Sequence, residues 1–178
     1  MQRTGEIRVT DHFTCSICGK EHDGLVKDLG YKLPDVVWNI PEPERSEKAR
    51  YSDDLCRFGE RYFIRCVLAV PFTEASGEFG WGAWAEVDWS VFKLYLEFWG
   101  KDGSSEPVRE GTLANSLPAY EHSLGMPVLI QFMEPTKRPS LRLKRGSESQ
   151  LAIEQREGID VARYHEILSI IARRRASP

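Results

Sequence analysis

The chain has 178 residues, of which 41% are hydrophobic and 29% are charged, and its formal net charge is −3. This length and composition are ordinary for a globular protein with its own hydrophobic core, so we expect residues 1–178 to form a single domain. No apolar run approaches the roughly 20 residues of a membrane-spanning helix, and the N-terminus has no apolar stretch typical of a signal peptide. We therefore expect a cytoplasmic protein without membrane contact, in which thiols stay reduced.

The charge is unevenly distributed along the chain. Residues 137–178 carry ten basic and five acidic residues, whereas residues 1–136 carry 14 basic and 22 acidic residues. A mildly basic tail could meet an anionic partner, but such a run is more often a solvated face. The acidity of the rest of the chain argues against a general phosphate-backbone binder, so nucleic acid is not the expected partner.

The stretch FTCSICGKEH at residues 13–22 has the spacing of half a metal site. Cys15 and Cys18 form a C-x2-C turn, and His22 follows four residues after the second cysteine. Zinc in a structural site takes four tetrahedral ligands, usually thiolates and imidazoles. There is no second C-x2-C, and Cys56 is the best fourth ligand because it lies between the early turns and the first long strand.

We therefore predict a structural zinc site formed by Cys15, Cys18, His22 and Cys56, within a turn-rich region at residues 13–60. Four protein ligands leave no open position for water, so this site would not be catalytic. Two alternatives stay open. The cysteine pair could be an unmetallated thiol pair on a surface turn, or a redox-active pair.

Residues 31–51 contain several prolines, which predicts turns and one brief helix that begins near Pro43 and ends before Ser52. Residues 61–172 are then expected to form a sheet with its helices. The run RYFIRCVLAVPF is rich in β-branched and aromatic residues and predicts a strand that is buried on both faces and ends at Pro71. Cys66 lies within this strand and is expected to pack as a small hydrophobe.

After a short turn, EFGWGAWAEV alternates between two faces and predicts a second strand in an antiparallel hairpin with the first. Asp88 is expected to cap a helix that Gly100 ends. Residues 101–127 have the composition of a loop, and two further strands are predicted at residues 128–133 and 140–144.

LAIEQREG is ambiguous between helix and loop, but the final helix is clear. Asp160 is expected to cap it, and its apolar stripe is Val161, Tyr164, Leu168 and Ile171. His165 falls between these positions and is expected on the surface. Because the elements show no βαβ rhythm, we predict an α+β fold with a mostly antiparallel sheet, helices on one face and an N-terminal zinc knuckle.

Five motifs in this order resemble an uncharacterised bacterial family, catalogued as domain of unknown function twenty-one ninety-nine: CSICGKEHDG, SDDLC before RYFIRC, FGWGAW, NSLPAY and LAIEQREGI. The likeness covers about residues 13–172. The resemblance implies the paired cysteines, the following histidine and the cysteine after Ser-Asp, which are the same four residues as the predicted zinc ligands. Cys66 stands where the family is associated with glycine, and SESQLAIEQ departs from the Asp-His-Pro-Leu-Ala of the family. The resemblance implies no activity.

Two tryptophans and an arginine are candidates for ligand binding. Trp81 and Trp84, flanked by glycines, could form a stacking platform for a base, a sugar or a peptide, or could instead fill the core. Arg65 lies on an otherwise apolar strand and needs either a carboxylate such as Glu86 or an anionic ligand.

Glu154 and Gln155, in the ambiguous IEQREG segment, are further candidates because carboxylates near a cleft could do acid–base chemistry. The alternative is a polar loop.

The leading hypothesis is a protein with a structural zinc site that binds a partner, expected to be another protein. It would use the aromatic sheet region or the basic C-terminal helix. An enzyme with a site near Arg65, Trp84 and Glu154 is the alternative, and a nucleic-acid-binding module that uses the knuckle is a third. An enzyme predicts a concave pocket that holds arginine and carboxylates, whereas a partner-binding protein predicts an exposed apolar patch.

Overall fold

The computed structural model describes residues 12–14, 21–23, 28–74 and 76–176. Within these residues the chain forms ten strands and five helices. The strands are β1 (His12–Thr14), β2 (Glu21–Asp23), β3 (Asp28–Gly30), β4 (Ala49–Tyr51), β5 (Leu55–Phe58), β6 (Arg61–Pro71), β7 (Glu78–Val87), β8 (Arg109–Leu113), β9 (Pro127–Gln131) and β10 (Ser140–Leu143). The helices are α1 (Asp35–Trp38), α2 (Glu42–Lys48), α3 (Trp89–Glu97), α4 (Gln150–Glu157) and α5 (Val161–Ala176).

The predicted β6–β7 hairpin is confirmed and is the longest pairing of the sheet. Its antiparallel register runs from Tyr62 opposite Val87 to Pro71 opposite Glu78. Strands β8, β9 and β10 continue from β7 in antiparallel order, and β10 then pairs in parallel with β6. Five strands therefore close into a barrel, while β3 lies beside β7 and β5 and β4 continue from β6.

Barrel closure corrects the predicted sheet in one respect. Pairing is mostly antiparallel, as predicted, but the sheet is not open with all its helices on one face. Helix α1 packs Val37 against Phe63 and Trp84, on the side of β6 and β7 that faces away from the main core. The closing strand β8 lies in the segment that we expected to be a loop, because its five residues include Arg109, Glu110 and Gly111 and show no apolar alternation.

The main core fills the space between the barrel strands and three helices. Alternate residues of β6 and β7 face it, as the period of two predicts, and α4 and α5 add Leu151, Ala152, Tyr164 and Ile167. Tyr164 makes edge contacts with the rings of Phe72 and Phe79. Complete burial of a large apolar side chain contributes roughly 1.5–3 kcal/mol, so this core is the main source of stability.

A second, smaller cluster lies on the outer face of the hairpin. Its buried members are Leu33, Val37, Ala49, Cys56, Phe63, Trp84 and Ala114. Strand β3 reaches this region by pairing in parallel with β7, where Gly30 lies opposite Gly82. A Cβ atom on Gly82 would lie 3.2 Å from the Cα atom of Gly30, so the two glycines permit a close approach of the strands.

One predicted helix cap is confirmed, and the other lies at the predicted position but makes no capping hydrogen bond. Asp160 accepts a hydrogen bond from the Arg163 amide at 2.7 Å, which confirms the predicted cap of α5. Asp88 holds the N-cap position of α3, but its side chain makes no capping hydrogen bond. The ambiguous segment is helical, since Ser149 caps α4 and Gly158 follows its end with φ of 87°.

His165 is buried rather than on the surface, with 5% of its area exposed. It lies beside Tyr164, with the two ring centroids 5.6 Å apart. The prediction was wrong because α5 is buried over a wider face than its apolar stripe alone indicates. Among the described helices, none is long and apolar enough to cross a membrane.

Candidate functional site

The predicted zinc ligands lie mostly outside the described residues. Cys15 and Cys18 fall between β1 and β2 in the sequence and are not described, and the side chain of His22 is not described either. The two flanking strands pair antiparallel, with Thr14 opposite Glu21 and Phe13 opposite His22. The four-ligand zinc site therefore stays a prediction.

Cys56 is the one predicted ligand whose side chain is described. It lies on β5 between Tyr51 of β4 and Phe63 of β6, with 1% of its area exposed. Burial raises the pKa of its thiol from 9.0 to about 12, so without a cation the sulfur stays protonated. Zinc binding would have to replace that proton, and the described part of the chain holds no cluster of three or more potential metal ligands.

Cys66 lies in a different environment from Cys56. It is fully buried in the main core opposite Ala83, and burial raises the pKa of its thiol. This burial confirms the prediction that Cys66 packs as a small hydrophobe.

Both candidate tryptophans are buried. Trp84 lies in the outer cluster, where its indole N–H donates to the Tyr31 carbonyl at 3.1 Å and its backbone N–H donates to the Asn115 side chain at 2.8 Å. Trp81 has 1% of its area exposed and faces the main core. Core packing thus accounts for both rings, and the glycine between them admits β3 rather than open solvent.

Arg65 does not pair with Glu86, the carboxylate that the sequence suggested as its partner. Glu86 lies opposite Phe63, which makes Arg61 and Arg65 its two diagonal neighbours on the adjacent strand. Arg61 takes both carboxylate oxygens, at 2.7 and 2.6 Å. Because the hairpin is twisted, only one of the two diagonal arginines comes within reach of Glu86, and the sequence does not specify which one.

The Arg65 guanidinium is left with few partners among the described residues. Its Nη1 atom donates to the Asp53 carbonyl at 3.3 Å, and its buried Nε atom has no hydrogen-bond partner. Burial lowers its pKa, and the nearby positive charge of Arg138 lowers it further. The Nη2 atom lies over Gly30, only 2.6 Å from where a Cβ atom of that residue would be.

Glu154 is buried, with 4% of its area exposed, and three side chains donate hydrogen bonds to its carboxylate. The Tyr120 hydroxyl donates to it at 2.5 Å, and the Gln150 amide and Arg163 Nε each donate at 2.7 Å. A carboxylate held by three donors, one of them cationic, joins α4, α5 and the loop around Tyr120. Its oxygens are occupied by these internal hydrogen bonds.

Tyr120, the tyrosine of this network, has a raised pKa. Burial raises the pKa most, and the neighbouring Glu154 raises it further. The Trp81 indole N–H lies close to the hydroxyl but outside hydrogen-bonding geometry. Tyr120 and Arg163 were not candidates from the sequence, because their positions far from Glu154 gave no signal of contact.

Gln155 joins two barrel strands where their direct pairing ends. Its Nε2 atom donates to the carbonyls of Leu141 and Ala69 at 2.9 and 3.3 Å, and its Oε1 atom accepts from the Leu143 amide at 2.8 Å. These contacts are internal, so they explain the residue without a ligand. Its ligand-binding role, like those of Arg65, Trp81, Trp84 and Glu154, stays a prediction.

The enzyme alternative needed Arg65, Trp84 and Glu154 to share one site, and the structure does not bring them together. Trp84 and Arg65 are register partners on the outer face of the hairpin. Glu154 instead contacts Tyr120, which packs in the main core.

Helix α3 carries an exposed apolar stripe that the sequence analysis did not single out. Trp89 and Leu96 lie seven residues apart on one helical face, and Trp99, two residues beyond the helix end, is exposed as well. Their exposed fractions are 51%, 41% and 53%. A signal existed, because these apolar residues fall outside the partly buried helical period of Leu94, Tyr95 and Phe98.

A groove of about 720 Å³ lies beside the end of this stripe, and we call it the α3 groove. Its apolar walls are Tyr95, Phe98, Trp99 and Phe132, and the rings of Tyr95 and Phe132 are 5.1 Å apart. Its charged lining residues are Asp54, Glu78, Lys101, Glu134, Lys137 and Arg138.

Residues 14–159 match the family described as "Uncharacterized protein conserved in bacteria (DUF2199)". The chain belongs to this family. The match confirms the resemblance noted in the sequence and spans the four predicted zinc ligands, the β6–β7 hairpin and Glu154. The DUF2199 match ends before α5 begins, and its description names no activity. No significant match was found among curated proteins or among solved structures.

Proposed function

We propose that this DUF2199 protein binds another protein through the α3 groove and the adjoining apolar stripe. The observation that carries the proposal is the exposure of three large apolar residues, Trp89 and Leu96 on one face of α3 and Trp99 just beyond its end. Isolated exposed apolar residues are common, but a contiguous exposed patch of large ones is typical of an interaction site. Tryptophan is also enriched among the residues that dominate binding energy at protein interfaces.

The charges of the α3 groove indicate what kind of segment would fit. Lys137 pairs with Glu134 at 2.7 Å, and Arg138 pairs with Asp54 at 2.5 Å. Lys101 and Glu78 make no ion pair with any residue that the structure describes. The expected occupant is a peptide segment with an apolar anchor residue, flanked by an acidic residue toward Lys101 and a basic residue toward Glu78.

The other two functions have less support. The polar candidates for catalysis, Glu154 and Gln155, are engaged in internal hydrogen bonds. The groove carries three acidic and three basic lining residues, whereas a nucleic-acid site needs a predominantly basic surface.

Selection from a displayed library of random peptides tests the proposal directly. The expected result is an enriched sequence with a large apolar residue between charges of opposite sign. Trp99→Ala should weaken binding of that peptide by at least about tenfold, because an anchor contact is lost. Trp38→Ala is the matched control, since Trp38 is 48% exposed but lies outside the α3 groove.

Three results would overturn the proposal. The first is the absence of any enriched peptide, and the second is binding that Trp99→Ala leaves unchanged. If sedimentation instead shows self-association that Trp99→Ala abolishes, the stripe is an interface between copies of this chain, and the proposal of a different partner fails.

We also propose that Cys15, Cys18, His22 and Cys56 hold a structural zinc ion. The support is the C-x2-C spacing, the antiparallel strands that flank it, and the fixed position of Cys56 between β4 and β6. When bound, zinc would tie residues 15–22 to β5 by closing a long loop. The metal content of the wild type and of cysteine variants tests this proposal.

A further inference from the structure

A second cavity, of about 540 Å³, lies on a different part of the surface from the α3 groove, and we call it the α1 pocket. It is formed by residues 29–39, the loop at residues 116–118 and the end of α5. Its aromatic walls are Tyr31 and Trp38, with Trp81 of β7 also lining it. This volume is within the range of roughly 300–1,000 Å³ that is usual for small-molecule sites.

Both carboxylate oxygens of the acidic residue in the α1 pocket already accept hydrogen bonds. Asp35 is the one acidic residue among the lining residues. One carboxylate oxygen accepts from the Asn115 side chain at 2.8 Å, and the other accepts from the Ser116 amide at 2.7 Å. Asp35 therefore serves to hold the 115–116 loop and is not directed at a ligand.

The two basic residues that line the α1 pocket, Lys32 and Arg174, have no ion-pair partners among the described residues. A third cation, Arg45, lies over the Trp38 ring at 4.5 Å, and its hydrogen bonds go to the carbonyls of Trp38 and Ile40. The cavity thus combines aromatic walls with a surplus of positive charge.

We propose that the α1 pocket binds a small organic anion with a planar apolar body and a carboxylate, sulfonate or phosphate group. The ring or chain would lie between Tyr31 and Trp38, and the anionic group would lie toward Lys32 and Arg174. Flat apolar surface and opposite charge are both needed for this match, so inorganic phosphate alone binds weakly. This inference is independent of the protein partner proposed for the α3 groove.

The probe for this test is 8-anilinonaphthalene-1-sulfonate, whose fluorescence rises in an apolar site, and its uncharged relative N-phenyl-1-naphthylamine is the comparison. In the double variant Lys32→Ala and Arg174→Ala, affinity for the sulfonate should fall by about tenfold, while affinity for the uncharged probe stays the same. Trp38→Ala should weaken both probes. Binding of the sulfonate to the wild type should also weaken as salt is added.

The α3 groove supplies the control, because an apolar probe could bind there instead. Lys101→Ala and Trp99→Ala alter that groove and should leave sulfonate affinity unchanged. The inference is overturned if the sulfonate does not bind, if the Lys32 and Arg174 variant binds it as well as wild type, or if only Trp99→Ala removes binding. The last result would place the probe in the α3 groove.

Discussion

The Tyr120 hydroxyl donates a 2.5 Å hydrogen bond to the buried carboxylate of Glu154, 34 residues further along the chain. This contact links the loop after β8 to α4. The same carboxylate holds Arg163 of α5, so one acidic side chain fixes three segments around the barrel. Such a network is costly to break, because a buried polar group without its partner loses the solvation that it had in the unfolded chain.

Tyr120→Phe should therefore destabilise the protein by about 1–3 kcal/mol, since it removes one donor from a buried carboxylate and leaves the ring in place. Urea unfolding followed by circular dichroism measures this change. Tyr51→Phe is the matched control, because Tyr51 is 46% exposed and its loss of a hydroxyl should change stability very little. Equal stability of the two variants would show that the hydrogen bond contributes little.

Two glycines that lie close to other atoms should respond very differently to alanine. A Cβ atom on Gly111 would lie 2.6 Å from the Glu86 backbone oxygen, which barrel pairing holds in place. A Cβ atom on Gly30 would lie 2.6 Å from the end of the Arg65 side chain, which can move. Gly111→Ala should thus cost about 1–3 kcal/mol or more, and Gly30→Ala clearly less.

Thermal unfolding of both variants gives the ranking. The cost of Gly30→Ala should fall further when Arg65→Ala is present, because the group in the way is then absent. A Gly30→Ala variant as unstable as Gly111→Ala would mean that Arg65 is held more tightly than its single hydrogen bond to Asp53 indicates.

The sequence predicts elements well where the pattern is local. A β-branched and aromatic run placed β6, period-two alternation placed β7, and Asp160 marked the start of α5, because these signals depend on neighbouring residues. Barrel closure depends instead on β8, a short strand with charged residues that pairs with β7 and β9, which are distant from it in sequence and give no local signal.

The candidate site shows the same limit at the level of single residues. Arg65, Trp84 and Glu154 were grouped by residue type, yet Arg65 and Trp84 are partners on the outer face of the hairpin, whereas Glu154 of α4 contacts Tyr120 of the main core. The partners of Glu154 come from a loop and from a second helix, so nothing in the spacing of IEQREG could reveal them. Exposure of Trp99 likewise depends on where α3 ends relative to β9.

Alkaline pH should destabilise the protein in part through Tyr95. Burial raises the pKa of Tyr95 from 10.0 to about 12. Because the folded-state pKa is above the unfolded value, the stabilising effect is complete below about pH 10 and is lost as pH rises toward about 12. As pH rises across this range, the free energy of unfolding should fall in both proteins. The fall should be about 1–2 kcal/mol smaller in Tyr95→Phe than in wild type.

Ionisation of Cys56 affects stability in the same direction, because burial raises the pKa of its thiol to about 12 as well. The contribution of Tyr95 is therefore measured as the difference between Tyr95→Phe and wild type. Tyr51→Phe again serves as the control, because it removes the hydroxyl of a tyrosine that is 46% exposed. Identical alkaline slopes for wild type and Tyr95→Phe would show that burial of this hydroxyl does not disfavour its ionised form.

Metal content should distinguish the two buried cysteines, and this result would decide the zinc proposal. Protein purified without added zinc should contain about one zinc ion per chain, and Cys56→Ser should lose most of it, with a lower melting temperature. Cys66→Ser is the matched control, because Cys66 is equally buried but lies in the main core, on the side of the sheet away from Cys56. It should lose stability and keep the metal. Zinc loss in both variants would indicate unfolding rather than removal of a ligand. A wild type without zinc would contradict the zinc proposal and leave Cys15 and Cys18 as free or redox-active thiols. Cys56 would then be a core residue, a role that the high pKa of its thiol suits.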